Sequence, residues 1–307
     1  MKAIIIEEFG GAEQLKLKEA NKPELKPDRL LVEVYATSVN PIDIKRRKGS
    51  FGGSLPLIVG GDIAGRVVEI GSDVTGFEVG DRVMANGSKT YAEVVSVRPD
   101  RTVKLDDTLS FEIAAAVPLT GQTAYEAIVR RGQVKNGERV LIHAGSGGVG
   151  TLAVQIAKIQ GAWVASTASG SNQELLQSLG VDQPIDYEEE DFEEVLTGID
   201  FVFDTIGGRV LEKSLSLIQN KGRLLSIAGD PSEFVDVKNY EAQYFSMKPT
   251  KEALEQLHEW LVQKRLKPVI SRVYPFSQEG LRAAHELSET GHVRGKIIIR
   301  VKEEATN

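Results

Sequence analysis

The sequence predicts a mixed α/β chain: a β-rich, barrel-like first domain and a second domain built on a doubly wound parallel sheet. Three observations predict it. Short β-branched runs separated by turn signals fill the N-terminal third. From Ser110 the apolar period lengthens, and strand-like runs then alternate with helical ones. Finally, His143-Ala144-Gly145-Ser146-Gly147-Gly148-Val149-Gly150 reads G-x-G-x-x-G, with an apolar strand before it and a helical pattern after it.

In chain order, Lys2–Ile6, Arg29–Val34, Gly65–Ile70, Arg82–Met84 and Tyr91–Val95 read as strands. Asn21-Lys22-Pro23, Lys26-Pro27-Asp28, Gly71-Ser72-Asp73 and Gly80-Asp81 supply turns between them. Short, regularly punctuated strands suit a compact barrel. Phe111–Val117 and Thr120–Arg130 read as helices. Strands follow at Arg139–His143, Trp163–Ser166, Gln183–Ile185, Phe201–Asp204 and Arg223–Ile227. The helices between them are Gly148–Gln160, Asn172–Leu179, Asp191–Leu196 and Arg209–Ile218. That alternation marks a parallel sheet covered on both faces. A long helix, Thr250–Lys264, follows Lys248-Pro249. After Lys267-Pro268 the chain ends in Gly295-Lys296-Ile297-Ile298-Ile299, a strand expected to rejoin the first domain. The expected domains are therefore 1–118 with 268–307, and 119–267.

Composition narrows the function. The 307 residues are 41% hydrophobic and 26% charged, which is globular and long enough for two domains. A net charge of -7 without a long basic run argues against nucleic-acid and anionic-membrane partners. Cysteine is absent, so disulfides and thiolate chemistry are excluded. The start, Met1-Lys2-Ala3-Ile4-Ile5-Ile6-Glu7-Glu8, turns acidic too soon for a signal peptide. No apolar run approaches the roughly 20 residues of a membrane helix. The expectation is a soluble, cytoplasmic protein.

The glycine run carries most of the chemistry. In a strand–turn–helix context, Gly145 permits the tight turn, Gly147 lets the backbone approach a pyrophosphate, and Gly150 lets helix and strand pack closely. N–H groups and the positive dipole end at the helix start then hold phosphates. The alternative is a plain glycine-rich turn. A Rossmann site that takes NAD usually places an acid about 20 residues further on, against the ribose 2′-hydroxyl. Here the second strand runs Trp163-Val164-Ala165-Ser166-Thr167-Ala168-Ser169, with no acid at its end. That permits NADPH, with Ser169, Asn172 and Tyr187 as neutral donors to a 2′-phosphate. No Lys or Arg lies between Ala162 and Gly198 to help them. The alternative is that Ser169 and Asn172 cap the next helix. Ser146, Gly148, Val149 and Ile227, the last closing its strand, complete the expected cofactor contacts.

Three segments together carry a resemblance that covers nearly the whole chain. Val39-Asn40-Pro41-Ile42-Asp43-Ile44-Lys45-Arg46-Arg47-Lys48-Gly49 resembles the N-P-x-D-x-x-x-R-x-G signature of quinone oxidoreductases. Gly60-Gly61-Asp62-Ile63-Ala64-Gly65 through Val68-Glu69-Ile70-Gly71 is similar to the G-x-D/E-x-x-G-x-V element of medium-chain dehydrogenases/reductases. The glycine turn lies where that superfamily has it. The chain thus resembles the zinc-free quinone oxidoreductase/enone reductase branch, which implies a GroES-like barrel joined to a Rossmann domain. Zinc relatives use a Cys and a G-H-E histidine; here Gly60-Gly61-Asp62 stands in that place. The histidines, His143, His258, His285 and His292, match no ligand spacing. They read as one or two helical surface histidines and one at a strand end.

The resemblance implies roles near the nicotinamide for Asn40, Asp43 and Lys45. Asn40 would bond the ribose or carboxamide; Asp43 would accept from a ribose hydroxyl or orient Lys45; Lys45 would touch the cofactor. The alternative is a turn at Asn40-Pro41 followed by a solvated basic helix start. Thr123, in Pro118-Leu119-Thr120-Gly121-Gln122-Thr123-Ala124-Tyr125, is similar to a threonine that relatives direct at the nicotinamide. The implied reaction is hydride transfer from NADPH to a quinone or to the β-carbon of a conjugated carbonyl, electrophiles that need no metal. Lys45 and a backbone N–H are donors for the developing oxyanion. Water is the expected proton source, and Tyr91 is either an acid or a packing residue. The segment Asp81–Glu93 is shorter than in relatives before Tyr91-Ala92-Glu93, which implies an open cleft. Gln243-Tyr244-Phe245-Ser246-Met247 reads as the strand through which the family forms a homodimer. Competing readings are a non-catalytic nicotinamide-binding sensor or structural protein, one-electron quinone reduction, and, weakest, a zinc alcohol dehydrogenase.

Overall fold

The computed structural model describes residues 1–234 and 241–304. Residues 235–240 and 305–307, which the expected domain ranges include, lie outside the described residues. The chain opens with β1 (Lys2–Ile6), β2 (Lys16–Glu19), β3 (Leu30–Val39), α1 (Pro41–Arg47), β4 (Leu57–Ile58) and β5 (Asp62–Ile70). It continues through β6 (Arg82–Asn86), β7 (Val94–Val97), β8 (Thr102–Lys104), α2 (Phe111–Ala115) and α3 (Pro118–Tyr125). The alternating portion holds β9 (Arg139–Ile142), α4 (Gly150–Ile159), β10 (Trp163–Ala168), α5 (Gln173–Ser178), β11 (Gln183–Asp186) and α6 (Phe192–Val195). It proceeds through β12 (Ile199–Asp204), α7 (Gly208–Ser214), β13 (Ile218–Ser226) and β14 (Glu241–Tyr244). The last elements are α8 (Lys251–Val262), β15 (Ile270–Pro275), α9 (Gln278–Glu289) and β16 (Lys296–Arg300).

Two compact units result. The first comprises Met1–Leu119, Pro249–Lys264 and the chain from Pro268 on. It holds a sheet in the order β15-β16-β3-β5-β6-β8, with β7 also on β3, and a smaller sheet β2-β1-β4. β3 is β-branched and aromatic, which favours a pleated surface. It is buried almost throughout, because β5, β7 and β16 all pair with it. One core gathers Leu30, Val32 and Val34 of β3 with Ile63, Val67, Val83 and Val95. Another joins Ile4, Ile6 and Val39 to Leu281, Ala284, Ile297 and Ile299. The C-terminal strand thus pairs with β3 as expected.

The second unit comprises Thr120–Lys248 and Arg265–Lys267. Its sheet runs β11-β10-β9-β12-β13-β14, and every neighbouring pair is parallel. This is the 3-2-1-4-5-6 order of a doubly wound Rossmann sheet. The order reverses between β9 and β12, so a crevice opens there beyond the strand C-termini. Leu141, Ala165, Ile185, Val202 and Leu224 pack with Leu211 and Leu215 beneath it.

Several boundaries differ from expectation. The helix expected at Thr250–Lys264 forms as α8 but clusters with the first unit, not with 119–267. Its inner face buries Leu254, Leu257 and Leu261, and His258 Nε2 accepts the Asp106 N–H at 3.0 Å. Ile218 begins β13 rather than ending a helix. The helix expected over Thr120–Arg130 changes at Glu126 into a π-helical stretch, Glu126–Arg131. The strand expected at Gln243–Met247 is Glu241–Tyr244, the sheet's edge; Phe245 turns inward, 6.4 Å from the Phe203 ring. Among the described residues no helix is long and apolar enough to cross a membrane.

Candidate functional site

In the second unit the strand β9 runs into the glycine turn at its C-terminal end. Ala144, not Gly145, takes the left-handed conformation (φ 52°). That costs an L-residue on the order of 1 kcal/mol. Gly145 is needed for contact instead: a Cβ there would stand 2.0 Å from Ser166 Oγ and 2.9 Å from Leu176. Gly150 lies as tightly, with Ala144 O 2.1 Å from its absent Cβ. At Gly147 the nearest atom is 3.3 Å away, so that glycine leaves room on the outer side of the turn. Thr151 N–H bonds Gly147 O at 2.9 Å and begins the helical pattern. Among the described residues, the N–H groups of Val149 and Gly150 make no hydrogen bond. A tight turn with backbone donors at a helix start is a cradle that fits a pyrophosphate.

The turn is tied to its neighbours. His143 is buried, with Nδ1 3.1 Å from Thr167 Oγ1 and Nε2 2.8 Å from Ser214 Oγ. Burial lowers its pKa to about 4, against a smaller opposing effect of Asp204, so the ring is neutral. Thr205 Oγ1 donates to His143 O at 3.0 Å.

At the ends of β10 and β11 the structure brings Ser169, Asn172 and Tyr187 together. Asn172 Nδ2 donates to Ser169 Oγ at 2.9 Å, and Tyr187 N–H to Ala168 O at 3.3 Å. Neither Ser169 nor Asn172 caps the following turn with its side chain. Tyr187 is exposed. Sequence reasoning missed Asp186. It pairs in register with Ala168, and its Oδ2 lies 2.6 Å from where a Gly170 Cβ would stand. No acid stands at the end of β10 in sequence, yet one stands beside that end in space. The signal was the strand pairing, which a linear count does not contain. Ile227 is half-buried at the end of β13, and Thr123 is buried on α3.

The first unit holds a second polar group. Asn40, Asp43, Asp62, Tyr91 and His285 have no exposed surface, and Lys296 is 4% exposed. Asp62 accepts from Ser38 Oγ (2.7 Å), Asn40 Nδ2 (2.8 Å), Asn86 Nδ2 (3.3 Å) and Leu119 N–H (2.8 Å). Lys296 Nζ donates to Val39 O and Asn40 Oδ1. Asp43 accepts the Asn40 N–H at 3.0 Å, closing the first turn of α1. Its Oδ1 has no partner among the described residues. Desolvation, and then the Asp62 charge, raise its pKa to about 6. Tyr91 OH lies 3.4 Å from Asp43 and 3.1 Å from His285 Nε2. His285 Nδ1 meets Arg47, which forks onto Glu289 at 2.9 Å. Burial first, then Arg47, lower the His285 pKa to about 3, and burial first raises that of Tyr91 far above a free phenol.

These facts fix the start of α1 and revise two expectations. Asn40 and Asp43 have no exposed surface, and the bond from the Asn40 N–H to Asp43 holds the start of α1. Asp43 does not orient Lys45: two residues apart on a helix they face different ways, and Lys45 is exposed. His285 is a core residue rather than a surface one, because α9 packs its inner face on β1, β3 and β16. Among the described residues no group of three or more His, Cys, Asp and Glu side chains is placed to hold a metal ion.

Comparison with known proteins gives consistent neighbours. Residues 26–107 match the alcohol dehydrogenase GroES-like domain, and residues 179–299 match a family described as zinc-binding dehydrogenase. The 2-methylene-furan-3-one reductase of Solanum lycopersicum is 36% identical over 97% of this chain and 79% of its own length. The quinone oxidoreductase of Coxiella burnetii superposes with a TM-score of 0.93 at 38% identity, over 98% of this chain and 99% of that one. The Escherichia coli quinone oxidoreductase complexed with NADPH superposes with a TM-score of 0.88 at 27% identity, over 98% and 100% of the two chains.

Proposed function

We propose that this chain, which belongs to the quinone oxidoreductase and alkenal/one reductase branch of the medium-chain dehydrogenase/reductase superfamily, reduces a quinone or an α,β-unsaturated carbonyl with NADPH and without zinc. Family members use NAD(P)H, and NADPH is the cofactor of the E. coli relative's complex. The observation that carries the reading is the Gly145–Gly150 turn, closed on its inner side and open at Gly147, with Val149 and Gly150 N–H groups available. Those donors hold the pyrophosphate, and Ser169, Asn172 and Tyr187 take the 2′-phosphate. When bound, the cofactor supplies a hydride. Ile227 and Thr123 orient the nicotinamide. Lys45 is the exposed member of its trio and donates from Nζ to the acceptor oxygen. Asn40 and Asp43 set the helix turn that presents Lys45. Neutral His143 and buried Tyr91 are held inside the fold, which leaves water to deliver the proton. The protein assembles as a homodimer along the β14 edge.

The test is NADPH consumption against a 1,4-quinone and an open-chain enone, with NADH as control. Turnover of either acceptor, with deuterium passing from stereospecifically labelled NADPH into the product, is the expected result. Binding of NADPH without turnover would instead favour a sensor or structural role. Light scattering at micromolar concentration should give twice the 33.5 kDa chain mass.

A further inference from the structure

We propose that Asp204, acting with Ser226, is a positioning residue for the nicotinamide half of the dinucleotide: together they shape the loops that follow β12 and β13. The inference rests on the dinucleotide reading above.

Both residues end their strands, are in register with each other and have no exposed surface. A buried carboxylate is costly unless donors surround it. Asp204 has them: Oδ1 accepts from Ile206 N–H and Gly207 N–H at 3.0 Å. Oδ2 accepts from Gly207 N–H at 3.1 Å and Ser226 Oγ at 2.6 Å. Ser226 Oγ in turn accepts the Ala228 and Gly229 N–H groups, each at 3.1 Å. One carboxylate and one hydroxyl thus fold two loops.

Gly207 (φ 79°) and Gly208 (φ 55°) sit where only glycine is comfortable, and glycine is conformationally free when unconstrained. The two loops touch: a Cβ at Gly207 would lie 3.0 Å from Ala228 O. Thr205 anchors the first loop to His143 O, just before the glycine turn. Ile206 is 52% exposed at the tip, an apolar surface displayed beside the crevice.

Location assigns the half of the ligand concerned. In this topology the adenosine ribose lies over the end of the second strand, here β10. The loops after β12 and β13 stand across the switch point, so they face the other half. An ordered apolar floor with fixed backbone groups suits a flat amide-bearing ring, and ordering it in advance removes an entropic cost of binding.

Calorimetric titration of NADPH and of 2′,5′-ADP into wild type, Ser226→Ala and Asp204→Asn tests this. The expected result is NADPH weakened about tenfold in the variants, as for a lost buried hydrogen bond, with 2′,5′-ADP affinity unchanged. A merely structural role would weaken both ligands in parallel; that outcome, or no change in either, overturns the proposal. Ser226→Ala removes a single hydroxyl and carries the test should Asp204→Asn fail to fold. If wild type binds neither probe, the dinucleotide reading itself is wrong. If wild type binds both and the variants do not discriminate, only the positioning role is wrong.

Discussion

Lys296 Nζ donates to Asn40 Oδ1 at 2.6 Å, joining residues 256 apart in the chain. The bond brings the last strand's ammonium to the entrance of α1, where Asp62 and Asp43 are the buried counter-charges. Breaking such a group by removing one partner leaves uncompensated charge. Lys296→Met also leaves the Val39 and Asn40 oxygens without their donor and is therefore expected to cost about 1–3 kcal/mol of stability, read as a lower urea midpoint. An unchanged midpoint would mean that the ammonium contributes nothing to holding the carboxylates.

Acid sensitivity should follow the buried histidines. His143 and His285 have pKa values lowered from 6.5 to about 4 and about 3. The unfolded chain takes up their protons as pH falls below 6.5 and the folded chain does not. Stability present at pH 7 is thus lost progressively down to those values, on the order of 3 kcal/mol for His143 and 5 kcal/mol for His285. Asp43 acts oppositely. Its pKa is raised from 3.8 to about 6, so between these values the folded chain binds a proton that the unfolded chain does not. Falling pH then adds stability. Urea midpoints at pH 7 and 4.5 should show a smaller drop for His285→Gln than for wild type, and a larger one for Asp43→Asn. The reverse ranking would contradict the burial argument.

The glycine turn separates folding from binding. Gly145→Ala drives a methyl against Ser166 and Leu176 and should lower both stability and NADPH affinity. Gly147→Ala meets only Ala144 O, at 3.3 Å. It should leave the thermal midpoint nearly unchanged while weakening NADPH by at least about tenfold, because that position faces the pyrophosphate. Equal effects of the two variants on stability would place Gly147 in the packing instead.

Asp186 should temper the preference for NADPH. Its carboxylate stands beside the Ser169–Asn172 segment that the 2′-phosphate is proposed to occupy. Removing the charge with Asp186→Asn should raise the NADPH-to-NADH ratio of kcat/KM by about threefold, the Coulomb effect expected across a few ångströms of water. A ratio that does not move would place the phosphate elsewhere.

The sequence by itself determined the parallel sheet, the glycine turn and the return of the C-terminal strand. Those features are written in local periodicity: β-branched runs, helical spacing, and glycines where a strand meets a helix. Gly145–Gly150 and β9 through β12 were legible for that reason. Only the tertiary structure decided which polar groups are buried and whom they meet. Asn40 and Lys45 look alike as candidates in the chain, but pairing of β3, β5 and β16 seals Asn40 against Asp62 and Lys296 and leaves Lys45 outside. Asp186 comes beside Gly170 through strand register. Asp204 and Ser226 meet for the same reason. Side-chain partnership at such sites is set by which strands become neighbours and in what register, a long-range choice made by burial of the whole apolar pattern rather than by the residues that end up touching.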